Sequence, residues 1–95
     1  MKMQNGEQQN TMTIFEPDQL SIFEGRIQKI EEKGFTVALY EHPALDMLII
    51  SIKKSGQSIE TVITGLEIMH SKDFASFIDA KLGTAIKKLV AASLD

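Results

Sequence analysis

Met47-Leu48-Ile49-Ile50-Ser51-Ile52 is apolar at five of six positions, and it lies between two runs that alternate. Phe35-Thr36-Val37-Ala38-Leu39-Tyr40 precedes it and Ile59-Glu60-Thr61-Val62-Ile63-Thr64 follows. A strand enclosed on both sides tolerates a nearly continuous apolar run, whereas edge strands with one wet face alternate. The contrast predicts a three-stranded antiparallel meander with the 47–52 run at its centre. The connections agree. Glu41-His42-Pro43-Ala44-Leu45-Asp46 is short and carries a proline that cannot donate to a ladder. Lys53-Lys54-Ser55-Gly56-Gln57 offers Gly56 as the positive-φ residue of a tight turn.

Helical spacing frames the meander. Leu20, Phe23, Ile27 and Ile30 form one apolar stripe. Pro17 and Asp18 suit its first turn, and Lys33-Gly34 suits its end, which predicts a helix over about 18–33. Ser21-x-x-Glu24 also has capping-box spacing, so the start can slip by a few residues. Thr13-Ile14-Phe15 is expected to staple onto this helix. Toward the other end, Phe74, Phe77, Ile78, Leu82, Ala85, Ile86, Leu89 and Val90 keep one helical phase straight through Gly83. A mid-helix glycine costs about 1 kcal/mol without forcing a break, so one long helix is expected, with Ser71 as N-cap and Asp73 in its first turn. Residues 65–70 read as either a strand extension or a short helical turn. The fold class is α+β: helix, three-stranded antiparallel meander, long C-terminal helix, with both helices on one sheet face. Residues 1–12 are polar and aperiodic and read as a disordered tail, which leaves 13–95 as a single α+β domain.

Alternation divides the sheet residues. Phe35, Val37, Leu39, Leu48, Ile50, Ile52, Ile59 and Ile63 share the face that receives the helices. Thr36, Ala38, Tyr40, Met47, Ile49, Ser51, Glu60, Val62 and Thr64 share the other, where Tyr40, Met47, Ile49 and Val62 make an apolar island. An aromatic and a methionine on an otherwise half-polar face point to a contact surface, for a partner protein or a second copy of the chain. A solvated face with a few apolar residues is the plainer alternative.

Charge gives a second lead. The net charge of −3 makes a general nucleic-acid binder unexpected. Residues 16–46 hold seven acids against Arg26, Lys29 and Lys33, so steering of a basic partner would come from this half, with Glu24 and Glu31 on the first helix as candidate contacts. Lys53-Lys54 and Lys87-Lys88 are small basic patches that a solvated turn and a helix end explain.

Chemistry finds little to work with. There is no cysteine, hence no thiol nucleophile and no Cys-based zinc site. The two histidines, His42 and His70, lack the spacing of three convergent metal ligands. Glu24, Glu31 and Glu32 read as a solvated helix face rather than an acid–base pair, the glycines form no phosphate loop, and no serine sits in an elbow motif. The expectation is a non-enzymatic protein without cofactor or metal. No apolar run approaches the ~20 residues of a membrane span, and no signal peptide opens the chain, so a cytoplasmic location is expected.

The order helix, meander, helix, together with Lys33-Gly34-Phe35-Thr36-Val37-Ala38-Leu39, Leu48-Ile49-Ile50-Ser51-Ile52 and Gly56, resembles the small anti-CRISPR proteins of listerial prophages that block Cas9, over roughly residues 20–80. The resemblance implies an α/β fold with helices on one sheet face, and a phage or prophage protein that inhibits a larger partner by occluding it. In that family acidic loop and helix residues occupy the site where the nuclease reads its DNA signal. This chain departs there, since Glu67, Asp73 and Asp79 are separated by neutral residues and lysines, and no binding residue carries over. Two further readings stand beside the inhibitor or adaptor: a structural homodimer built on the open sheet face, and a small metal-dependent enzyme.

Overall fold

The computed structural model describes residues 14–94. The 1–12 tail, Thr13 of the expected staple and Asp95 lie outside the described residues. The order is α1 (Pro17–Glu32), β1 (Thr36–His42), a 3₁₀ turn (Pro43–Leu45), β2 (Met47–Lys54), β3 (Gln57–Thr64), α2 (Gly65–His70) and α3 (Phe74–Leu94). The sheet is antiparallel in the order β1-β2-β3, so the apolar run is the central strand. This is the expected α+β architecture, and α3 passes through Gly83 unbroken.

Several boundaries move for identifiable reasons. Glu16, not Asp18 or Ser21, caps α1. Its carboxylate accepts from the N–H at the third helical position while the Gln19 side chain accepts from the Glu16 N–H at 2.9 Å, and Pro17 starts the helix where its missing N–H costs nothing. Gly34, at φ +97, ends it. Glu41 and His42, expected in a loop, extend β1 and pair with Leu48 and Met47. The turn to β2 is closed instead by Pro43–Leu45 and by Asp46 at φ +52. Lys53, Lys54 and Gln57 likewise belong to the ladder. Only Ser55 and Gly56 are left to turn, both with positive φ (+53 and +80), the geometry whose twist matches a two-residue hairpin.

Residues 65–70 are helix. Thr64 and Glu67 form a capping box: the Glu67 N–H donates to Thr64 Oγ1 at 3.2 Å and the Thr64 N–H donates to Glu67 Oε1 at 3.0 Å. Ser71 therefore serves a different helix end from the one expected. Its hydroxyl and its N–H both donate to the Ile68 carbonyl, closing α2. The cap of α3 is Asp73, whose carbonyl accepts from the Phe77 N–H at 3.0 Å and whose carboxylate accepts from the Ser76 hydroxyl at 2.8 Å. The Ser76 hydroxyl, and then the Ser76 and Ala75 N–H groups, hold the Asp73 carboxyl below the usual aspartate range.

One layer of helix covers one face of the sheet. Phe23, Leu48, Ile50, Ile52, Ile63 and Ile78 are fully buried between them, with Ile27, Ile30, Phe35, Leu82, Ala85 and Leu89 around them. Val90, expected on the buried stripe, is 43% exposed, while its neighbour Leu89 is buried. Phe15 packs its ring 4.8 Å from Phe23 and edge-on to Phe74 at 5.5 Å, which joins the start of α1 to the start of α3. Arg26 Nε donates to Asp79 Oδ1 at 2.6 Å between the same helices. Lys54 ties the hairpin to the far end of α1: its Nζ donates to the Lys33 carbonyl at 3.1 Å and lies 4.6 Å above the Phe35 ring. No helix among the described residues is long and apolar enough to cross a membrane.

Candidate protein-contact surface

Strand alternation sends Leu48, Ile50 and Ile52 into the core and Met47, Ile49 and Ser51 to the other side. Register then lines up the neighbours on that open face. Tyr40 stands opposite Ile49, and Ile49 opposite Val62, so an apolar row crosses all three strands. Directly opposed side chains on adjacent strands sit about 4.5–5.5 Å apart at Cβ and interact. The next row is His42, Met47 and Thr64; toward the hairpin come Ala38, Ser51 and Glu60, then Thr36, Lys53 and Ser58. The face is apolar at one end and polar at the other. Tyr40 is 57% exposed, while Met47, Ile49 and Val62 are half-buried by one another and by the sheet.

The apolar end continues beyond the strands. The Gly65 N–H donates to the Asp46 carbonyl at 2.9 Å, which sets the start of α2 against the β1–β2 turn. A side chain on Gly65 would collide with the Asp46 carboxylate, so glycine is the residue that allows this approach. Leu45 on the turn (60% exposed) and Leu66 and Met69 on α2 (63% and 75%) project there into solvent. The sequence reading missed these three. The signal was present: Thr64-x-x-Glu67 is capping-box spacing, and a helix begun at Gly65 puts Leu66 and Met69 on one side, three residues apart.

Of the candidate contact residues, Tyr40, Met47, Ile49 and Val62 come together. Glu24 and Glu31 do not join them. They are exposed on α1, which packs against the opposite face, so they belong to the helical layer and not to the open face. His42 and His70 are both exposed at strand and helix ends, and no group of three His, Asp or Glu side chains converges among the described residues. Lys54 is engaged by Lys33 and Phe35, which leaves Lys53 on the open face.

One charged pair flanks this region. Lys81 Nζ, on α3, lies 2.9 Å from Glu67 Oε2 and donates to the Val62 carbonyl at 2.9 Å. Burial alone would raise the Glu67 carboxyl, but hydrogen bonds from Lys81 and Thr64 and the Lys81 charge outweigh it, and the group sits below the usual glutamate range. A carboxyl depressed by folding stabilises the fold fully above its unfolded pKa, and that contribution is lost as pH falls through the folded value. With both side chains partly in water it is worth at most about 1 kcal/mol. Urea midpoints are expected to fall as pH drops below the ordinary glutamate range, and Lys81→Met is expected to flatten that dependence. An identical pH slope in Lys81→Met would show that the pair is not its source.

The chain matches no protein-family model, no curated protein and no solved structure.

Proposed function

We propose that this is a non-enzymatic protein-interaction module that docks through its open sheet face on a larger protein and occludes it, in the manner of a phage or mobile-element inhibitor or adaptor. The observation that carries the reading is the Tyr40–Ile49–Val62 row, an apolar stripe across three strands with no element among the described residues laid over it.

Area favours a larger partner over a second copy. Three strands about 4.8 Å apart and eight residues long make a footprint of roughly 370 Å², about half of the ~800 Å² per partner in a standard stable interface. Two such sheets stacked face to face bury little more than that footprint. A larger protein reaches past the strand ends to Leu45, Leu66 and Met69 as well.

The test is affinity capture from the cell that carries the gene. The native chain should retain a stoichiometric partner, Ile49→Asp should retain none, and the Glu24→Lys/Glu31→Lys double variant should retain it in full. Sedimentation should give a monomer at every concentration. Undiminished capture by Ile49→Asp removes the sheet-face reading, and a concentration-dependent dimer that Ile49→Asp abolishes replaces the larger partner with a second copy.

A further inference from the structure

The two edges of a sheet present unpaired N–H and C=O groups, and proteins ordinarily block them. In β3 the block is half finished. Lys81 reaches the Val62 carbonyl and Glu67 reaches the Thr64 N–H, so both groups point away from β2. In an antiparallel strand the N–H and C=O of one residue point the same way and the direction alternates along the chain. Ser58 and Glu60 therefore direct their backbone groups outward too, as does the Val62 N–H. No side chain among the described residues takes the Glu60 N–H, the Glu60 C=O or the Val62 N–H. Beside them runs an open cleft of about 400 Å³ between β3 and α3, with Phe77, Ala80, Thr84 and Ala85 along its helix side and Lys81 and Lys88 lining it as well.

We propose that this unblocked stretch of β3 accepts an extended segment of another protein as a fourth strand, with the sequence pattern apolar–basic–apolar. The hydrogen bonds come from Glu60 and Val62, as in other strand-addition complexes. The basic residue is fixed by Glu60, whose side chain stands on the open face opposite Ser51 and would lie directly across from the central residue of the added strand. Opposite charges in that position attract and like charges repel. The flanking residues then point toward α3, where Phe77, Ala80 and Ala85 offer apolar contact beside the two lysines of the cleft. A second copy of this chain does not fit, because the unblocked stretch is centred on Glu60 and antiparallel pairing of two β3 edges would set Glu60 against its own copy. This surface is distinct from the Tyr40–Ile49–Val62 row and stands or falls separately.

The experiment titrates the isotope-labelled full chain with the blocked peptide Thr-Val-Lys-Val-Thr, followed by amide shifts and amide exchange. Saturable shifts at Glu60, Val62, Ala80 and Thr84 are expected, with slowed exchange of the Val62 N–H. The peptide with glutamate at its centre should bind at least tenfold more weakly, and Glu60→Lys should invert that preference without changing the far-UV circular dichroism. Four outcomes overturn the proposal: no saturable shift at these amides up to millimolar peptide, equal affinity for the two peptides, shifts confined to Tyr40, Met47 and Ile49, or protection of the same amides by raised protein concentration alone.

Discussion

Ile50→Asp is expected to leave the chain without a cooperative unfolding transition, while Ile49→Asp, one residue away, is expected to keep the native circular dichroism and urea midpoint. Ile50 is fully buried on the central strand, between Leu39 and Thr61 in register and beneath the helices. Removing its side chain costs about 2–5 kcal/mol in lost burial and cavity. The new carboxylate has no cation within the core, because none of the buried residues among those described is polar or charged, and an unpaired buried charge adds several kcal/mol more or must take up a proton. Together these reach the ~5–15 kcal/mol that holds a whole domain. Ile49 already meets water on the open face, so an aspartate there stays solvated. A native transition in Ile50→Asp, or collapse of Ile49→Asp, would mean that the two faces are assigned the wrong way round.

The second large effect belongs to Phe23→Ala, expected to lower stability by about 3–5 kcal/mol. For a domain of this size that corresponds to a fall in Tm of roughly 15–30 °C. Phe23 is fully buried on α1, and Phe15 stacks on it and passes the contact on to Phe74 at the start of α3. Its loss opens a cavity and removes the ring against which Phe15 rests. Val90→Ala supplies the comparison: on the exposed end of α3 it should cost no more than about 0.5 kcal/mol. Scanning calorimetry on both variants checks the pair. A loss below about 1 kcal/mol for Phe23→Ala would show that the aromatic cluster is not part of the cooperative core.

The sheet was legible because its signal is periodic. The unbroken apolar run marks the centre strand, alternation marks its neighbours, and the side on which Leu48, Ile50 and Ile52 fall decides the side on which Met47 and Ile49 fall. The long phase of α3 likewise overrode Gly83. What escaped was local and set by tertiary contacts. Glu41 and His42 carry no strand pattern of their own, and they pair because Leu48 and Met47 stand opposite. Ser71 and Asp73 are both good capping residues two positions apart, and only the presence of α2 assigns one to each helix. Leu66 and Met69 could be found from the Thr64-x-x-Glu67 capping box, whereas the Gly65–Asp46 approach that sets α2 beside Leu45 is announced by no spacing in the chain. Glu24 and Glu31 stood as a separate lead on the first helix, resting on charge alone, and the structure keeps them on α1, apart from the open sheet face.

The Ser55–Gly56 turn also bears on the order in which the molecule assembles. A two-residue hairpin closes a short loop and forms in about 1–10 μs, and β1 joins it across a link nearly as short, so the whole meander is built from sequence neighbours. The contacts that span the greatest length of chain are those between α1 and α3, among them Phe15 on Phe74 and Arg26 on Asp79. Loop-closure entropy opposes these until the sheet has brought their ends near. They act as a late seal on a scaffold already in place, and weakening such a seal speeds escape from the native state more than it slows arrival.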